Sequence, residues 1–194
     1  FGSYLLLLGL KTPWHTALFG AFAFGFSTYL QFIRQVGHNT KDLAVSFFPF
    51  VIAGLLLLFR REFFWGVVLT SLALGMQIRA NHYQMTYYLL LLIGVFVLVW
   101  GIQSFKRKEI STFFRALALL TISGFLALGF NATPLLATAE YAEFSTRGKS
   151  ELQLNADGSP KEQSTGLDYD YITEYSYGIF ESLNLIVPRI QGGG

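Results

Sequence analysis

The chain has 194 residues, of which 53% are hydrophobic and only 13% are charged, and its formal net charge is +2. A soluble domain contains about 25% charged residues, so this composition favours a membrane protein. The small net charge argues against a nucleic-acid partner, and the absence of cysteine excludes disulfides, thiolate metal sites and cysteine nucleophiles.

Five apolar runs approach the roughly 20 residues that a membrane-spanning helix needs. Residues 1–10 look like the end of a sixth helix, so we expect the chain to be an internal fragment of a longer protein. We predict an all-α fold, a multi-spanning transmembrane helix bundle of about five spans plus part of a sixth. The third run is short, which a kink at Gly75 or burial in the bundle would explain. The five runs are 16–32, 43–59, 63–78, 87–101 and 113–130.

The composition changes after Asn131, because residues 139–177 are rich in Glu, Asp, Ser, Thr, Gly and Tyr. We therefore predict two domains, a transmembrane helix bundle over 1–133 and an extracytoplasmic, loop-rich tail over 134–194 with a short interfacial helix. The triplet Asn131-Ala132-Thr133 also matches an N-glycosylation sequon.

Basic residues alternate between the short connections of the predicted bundle. They cluster at Lys11, at 60–61 and at 106–108. Since Lys and Arg are retained preferentially on the cytoplasmic side, we predict that these three connections are cytoplasmic. The segments 34–42 and 79–88 and the tail would then share the opposite face.

Both of these opposite segments contain a pattern typical of a helix start. Asn39 is followed three residues later by Asp42, and Asn81 is followed three residues later by Gln84, each just before an apolar helix. One interpretation is an Asn N-cap with a reciprocal acceptor at the third helical residue. This interpretation requires no function.

Four further polar side chains in these segments are not explained by capping. Each alone could be an interfacial residue wetted by lipid headgroups. Together, near helix N-termini with partial positive charge, they suit a phosphate or pyrophosphate group. The two histidines lack a metal-binding spacing, so we predict no metal site for them. The four residues are His38, Lys41, Arg79 and His82.

The tyrosines of the second segment have two interpretations. They lie where an aromatic belt at the membrane interface is expected, and aromatic rings also stack on sugars. We assign Asn81, Tyr87 and Tyr88 to a sugar or lipid headgroup. The complete predicted substrate-binding set is His38, Asn39, Lys41, Arg79, Asn81, His82, Gln84, Tyr87 and Tyr88.

The tail interleaves carboxylates with tyrosines over 166–178. Asp168 and Asp170 could act as a general base or bind a divalent cation, and a solvated acidic loop is the alternative. They are the catalytic candidates within this chain.

The chain resembles bacterial YfhO-type membrane proteins at "GHNTKD" (37–42), at "RANHYQMTYYLLLL" (79–92), at residues 166–194 and in its basic connections. Those proteins are related to GT-C glycosyltransferases. The resemblance implies an integral protein of a bacterial inner membrane that uses a polyprenyl-phosphate sugar donor on the outer face, among membrane lipid. It also implies that the usual catalytic Asp or Glu lies in an outer loop preceding Phe1.

Two other function classes remain open. A transporter or flippase for a lipid-linked or anionic solute would need polar residues near the middle of spans. The sequence offers few, since Ser71 and Ser123 are small and Gln77 lies near a helix end. A non-catalytic membrane scaffold is the third class.

Overall fold

The computed structural model describes residues 1–143 and, beyond them, residues 173, 178–180, 183 and 190. Within this part the structure is helical and contains no strand, which confirms the predicted all-α membrane bundle. The helices are α1 Gly2–Gly9, α2 Trp14–Gly25, α3 Thr28–Gln35, α4 Asn39–Ser46, α5 Phe48–Phe59, α6 Phe63–Arg79, α7 Tyr83–Lys106, α8 Ile110–Phe130 and α9 Ala132–Glu143.

All five predicted runs consist of helix, two of them with a short break, and within the described residues four stretches are long and apolar enough to cross a membrane. Two of these stretches consist of two helices each, α2 with α3 and α4 with α5. Pro49 lies in the first turn of α5, where its missing N–H leaves no helical hydrogen bond unmade. The four candidate spans are Trp14–Gln35, Asn39–Phe59, Tyr83–Lys106 and Ile110–Phe130.

The chain divides into two compact units, Phe1–Pro134 and Leu135–Gly194. Helices α1 to α8 belong to the first unit. Residues 132–143 form α9, although the sequence favoured a loop-rich segment from residue 134 onward.

The short helix α6 packs at the centre of the first unit. It is one uninterrupted helix of 17 residues, and eight of them, including Gly75, are buried. Burial in the bundle therefore explains its length, and no break occurs at Gly75. Its contact with α5 is close: a Cβ on Gly54 would lie 2.7 Å from the Thr70 backbone nitrogen, and a Cβ on Gly66 would lie 2.8 Å from the Leu58 backbone nitrogen.

Helices α1, α5 and α7 end in the same way, with a basic residue in the left-handed conformation. The φ angles are 63° at Lys11, 70° at Arg61 and 59° at Lys108. At the end of α1, the Lys11 N–H donates to the Leu8 carbonyl at 2.8 Å and the Thr12 N–H donates to the Leu7 carbonyl at 3.1 Å. This pair of bonds is a Schellman motif, in which glycine is the favoured left-handed residue.

We expect Lys11→Gly to stabilise the protein by about 1 kcal/mol, because glycine adopts a positive φ without the steric penalty of a Cβ. The control is Lys11→Ala, which removes the charge but keeps the Cβ and should give no gain. Unfolding of the detergent-solubilised protein, followed by circular dichroism, measures both. Equal stabilisation by the two variants would assign the effect to charge.

The three basic connections lie at one end of the bundle. Arg60 Nη1 donates to the Gly9 carbonyl, and Arg61 Nη2 forms a 2.8 Å ion pair with Glu109 Oε1. We call this the basic end, comprising residues 9–13, 60–62 and 106–109. Its position relative to the two faces of the membrane remains a prediction from the distribution of Lys and Arg.

Two of the three segments predicted to share the opposite face, 34–42 and 79–88, lead into helices that pack together, whereas most of the tail lies outside the described residues. Ala44 of α4 packs in one buried cluster with Ala80 and Met85 from the two sides of the α6–α7 turn. At the end of α8, Asn131 Nδ2 donates to the Gly75 carbonyl of α6 at 2.9 Å. We call this the polar end, comprising residues 36–42, 79–88 and 130–131.

Candidate functional site

The N-cap interpretation of the two asparagines is wrong. Helix α4 begins at Asn39 itself, and helix α7 has His82 at its N-cap position, with no side-chain capping bond in either helix. Asn81 has a φ of 56°, and its N–H donates to the Ile78 carbonyl at 2.9 Å. Asn81 therefore terminates α6, because asparagine tolerates the left-handed conformation better than most residues.

The predicted reciprocal acceptors have other partners. Asp42 Oδ2 accepts a 2.7 Å hydrogen bond from Arg34 Nε and so ties α4 to α3. Gln84 Nε2 donates to the Tyr88 hydroxyl at 2.8 Å, one turn further along α7. Neither side chain bonds to the asparagine that precedes it. Asp42 instead pairs with a residue of another helix, and Gln84 pairs with a residue one turn away on its own helix.

The four residues predicted to bind phosphate lie at the polar end. The Lys41 N–H donates to the His38 carbonyl at 3.1 Å, but in the described part of the chain no side-chain hydrogen bond or ion pair joins the four residues to each other. His38 is exposed, and the Lys41 ammonium lies 5.4 Å from the centre of the Tyr29 ring. His82 Nδ1 is buried and lacks a hydrogen-bond partner. Their role as a set stays a prediction.

The remaining predicted residues divide into two groups. The rings of Tyr87 and Tyr88 are both exposed, with centres 5.9 Å apart and planes inclined by 54°. Asp168 and Asp170 lie outside the described residues. Within the described residues, no group of three or more His, Asp or Glu side chains is arranged to hold a metal ion.

A groove between α6 and α8 brings the predicted Arg79 next to residues that the sequence had not indicated. Leu72, Met76 and Arg79 follow one another at helical spacing along the exposed face of α6. Gly75 lets the Phe130 ring pack closely against α6, since a Cβ at residue 75 would lie 3.3 Å from Phe130 Cδ2. The cavity has a volume of about 220 Å³, and its lining is Leu72, Gly75, Met76, Arg79, Phe130 and Asn131.

Asn131 is the buried polar side chain of this α6–α8 groove. It is 2% exposed, and its Nδ2 donates to the Gly75 and Ala127 carbonyls, both at 2.9 Å. Its Oδ1 is buried without a hydrogen-bond partner. Asn131 therefore has a structural role in place of the one suggested by the sequon match, because the amide nitrogen that would carry a glycan is buried and donates both of these hydrogen bonds. Sequence reasoning missed this role, although an isolated Asn after a long apolar run was the available signal.

Helix α6 also buries polar side chains that the sequence had placed near helix ends or had passed over. Gln77 is fully buried, and its Oε1 accepts a 3.1 Å hydrogen bond from Thr86 Oγ1. The Gln77 Nε2, Thr70 Oγ1 and Ser71 Oγ atoms are buried without partners. Unpaired polar groups at membrane depth are costly, so this face of α6 is chemically unusual.

Comparison with protein-family models, curated proteins and solved structures finds no match to this chain. The resemblance to YfhO-type proteins therefore rests on the stretches quoted above.

Proposed function

We propose that this chain is part of an integral membrane glycosyltransferase of the GT-C type, which binds a polyprenyl-phosphate-linked sugar at its polar end. The observation that carries the proposal is the α6–α8 groove, where Arg79 stands beside the apolar side chains of Leu72, Met76 and Phe130. A cation at one edge of an apolar groove fits a ligand that has an anionic head and a hydrocarbon tail.

Each part of the groove has a chemical counterpart in such a donor. The Arg79 guanidinium suits phosphate oxygens, which it can engage with two parallel hydrogen bonds. The apolar side chains suit the first isoprene units. Asn131 Oδ1, an unpaired buried acceptor, suits a sugar hydroxyl. His38, Lys41 and His82 would add positive or hydrogen-bonding groups around the phosphate.

The transfer itself would need a carboxylate as well as this binding site. An acceptor hydroxyl attacks the anomeric carbon, a carboxylate takes its proton, and cationic groups stabilise the departing phosphate. Within the proposal Arg79 supplies the last of these. Within this chain the candidate bases are Asp168 and Asp170, where a divalent cation could also bind.

We expect Arg79→Ala to weaken binding of a photoactivatable polyprenyl-phosphate sugar by at least about tenfold, since it removes a charge-assisted contact to phosphate. Crosslinking yield against probe concentration, in protein reconstituted in neutral lipid, measures this. The control is Arg115→Ala, because Arg115 lies sixteen residues before Asn131, about 24 Å away along the axis of α8.

Equal losses in both variants would indicate non-specific attraction of the probe to any arginine. Crosslinking that maps away from residues 72–79 and 130–131 would contradict the proposed groove. In the full-length protein, sugar transfer that survives Arg79→Ala combined with His82→Ala would contradict the glycosyltransferase assignment.

A lipid-linked solute flippase is the second candidate, favoured by the polar interior of α6. Thr70, Ser71 and Gln77 are all buried, and each has an unpaired polar atom. A path for a headgroup across the membrane needs such groups. Movement of the probe from one leaflet to the other without sugar transfer would favour this function. Absence of both crosslinking and movement would leave the non-catalytic scaffold.

A further inference from the structure

A second, larger groove lies at the basic end, between α7 and α8. Its volume is about 480 Å³, which is within the range of roughly 300–1,000 Å³ typical of ligand pockets. Gly101 and Ile102 come three and four residues after Leu98, and Phe105 comes four and three residues after them, so all four lie on one face of α7. Phe113 of α8 is the opposite wall.

Gly101 forms the floor of this α7–α8 groove. A Cβ at that position would lie 3.2 Å from Phe113 Cζ, closer than ordinary van der Waals contact. A larger residue would therefore fill the space. Gly94 lies two turns earlier on α7, and a Cβ added there would meet no neighbouring atom within 4 Å. It therefore provides a matched comparison.

Cations stand at the end of the groove. Lys106 lines it, and Arg107 and Lys108 follow as exposed residues. The neighbouring acid, Glu109, does not neutralise them, because its carboxylate pairs with Arg61 at 2.8 Å. Across the basic end, six Lys and Arg residues face two Glu residues.

Backbone hydrogen bonds fix the turn that carries these cationic residues relative to the groove. The Lys108 N–H donates to the Phe105 carbonyl at 3.2 Å, and the Glu109 N–H donates to the Ser104 carbonyl at 2.9 Å. This Schellman turn ends α7 directly after the apolar lining. The apolar α7–α8 groove thus runs along the helix and ends at an ordered turn of cationic residues, so the backbone needs little reorganisation when a ligand binds.

We propose that this groove binds one anionic phospholipid, with an acyl chain along Leu98, Ile102 and Phe105 and its phosphate at Lys106 and Arg107. Charge complementarity selects an anionic headgroup over a zwitterionic one, since each Lys or Arg near the membrane surface attracts anionic lipid. The proposal concerns the basic end and is independent of the glycosyltransferase assignment.

Quenching of Trp100 by brominated lipids tests the proposal, because Trp100 adjoins Gly101 in the chain. In a Trp14→Phe/Trp65→Phe background it is the remaining tryptophan. We expect brominated phosphatidylglycerol to associate at least about fivefold more strongly than brominated phosphatidylcholine, the factor for one favourable Lys or Arg contact. The Lys106→Gln/Arg107→Gln variant should reduce this ratio to about one.

A substitution that fills the groove provides a second test of the proposal. Gly101→Leu should abolish the preference for phosphatidylglycerol, whereas Gly94→Leu should retain it, and circular dichroism checks that both variants are folded. Equal association of the two lipids in the parent protein would overturn the proposal. So would an unchanged preference in Gly101→Leu, or complete competition by soluble glycerol phosphate, which would indicate a simple anion site. If Gly101→Leu fails to fold, the Lys106→Gln/Arg107→Gln variant, which changes exposed positions, still tests the proposal.

Discussion

Replacing Gly54 with alanine should destabilise the bundle by about 2 kcal/mol or more, the scale of overpacking in a well-packed core. The added Cβ would lie 2.7 Å from the Thr70 backbone nitrogen and would also contact Thr70 Oγ1. Backbone cannot move aside as a flexible side chain can, so α5 and α6 must separate along their whole contact. Close packing through small residues is what holds helices together in lipid, where burial of apolar surface contributes little.

Reversible unfolding in mixed detergent micelles, followed by far-ultraviolet circular dichroism, measures this loss. The control is Gly94→Ala, which adds the same methyl group to a helix where nothing lies within 4 Å. It should be neutral or stabilising by up to about 1 kcal/mol through helix propensity. Combining Gly54→Ala with Thr70→Ala should recover only part of the stability, because the backbone contact remains. Full recovery would show that the hydroxyl alone sets the distance between the helices.

The helices themselves were predictable because long apolar runs separated by short charged connections leave few alternatives in a membrane. The grouping of the connections at two ends also followed from chain order and the distribution of basic residues. The splits within the first two spans were less accessible. Both lie inside largely apolar sequence, at residues 26–27 and at Phe47. The local signals were Ser27, at the N-cap position of α3, and Pro49, in the first turn of α5.

The helix termini at the polar end could not be predicted from local pattern. Asn81 fits either the N-cap of the following helix or the left-handed end of the preceding one, and both states use the same short polar side chain. Its hydrogen bond to Ile78 selects the second. The role of Asp42 was also not predictable from local pattern, because its partner Arg34 belongs to another helix.

The candidate groove was predictable only in part. Arg79 was selected because it occurs with three other polar residues near helix ends on one predicted face, and capping does not explain any of the four. Gly75 and Asn131 were not selected, because their contact joins residues 56 positions apart and depends on the pairing of α6 with α8. Local spacing carries no information about that pairing. A buried amide that bonds to the backbone of another helix, as Asn131 does, can therefore be identified only once the packing of the two helices is known.

The Asn131→Asp variant tests whether that single amide holds the end of α8 against α6. The substitution keeps the shape of the side chain but replaces two N–H donors by a carboxylate, which would face the Gly75 and Ala127 carbonyl oxygens at about 2.9 Å. A buried charge with no donor is strongly unfavourable, so we expect a loss of at least about 3 kcal/mol at neutral pH. Protonation restores one O–H donor, and part of the stability should return at about pH 4.

Asn131→Leu provides the matched comparison, because it removes the same two hydrogen bonds without introducing a charge. It should cost about 1–3 kcal/mol, the range for removing one partner of a buried hydrogen bond, and it should show no recovery at low pH. Detergent unfolding at neutral and acidic pH measures both variants. If Asp and Leu are equally destabilising at every pH, water reaches the end of α8. The α6–α8 groove would then be a hydrated surface, and Asn131 Oδ1 would be paired with solvent instead of being available to a sugar hydroxyl.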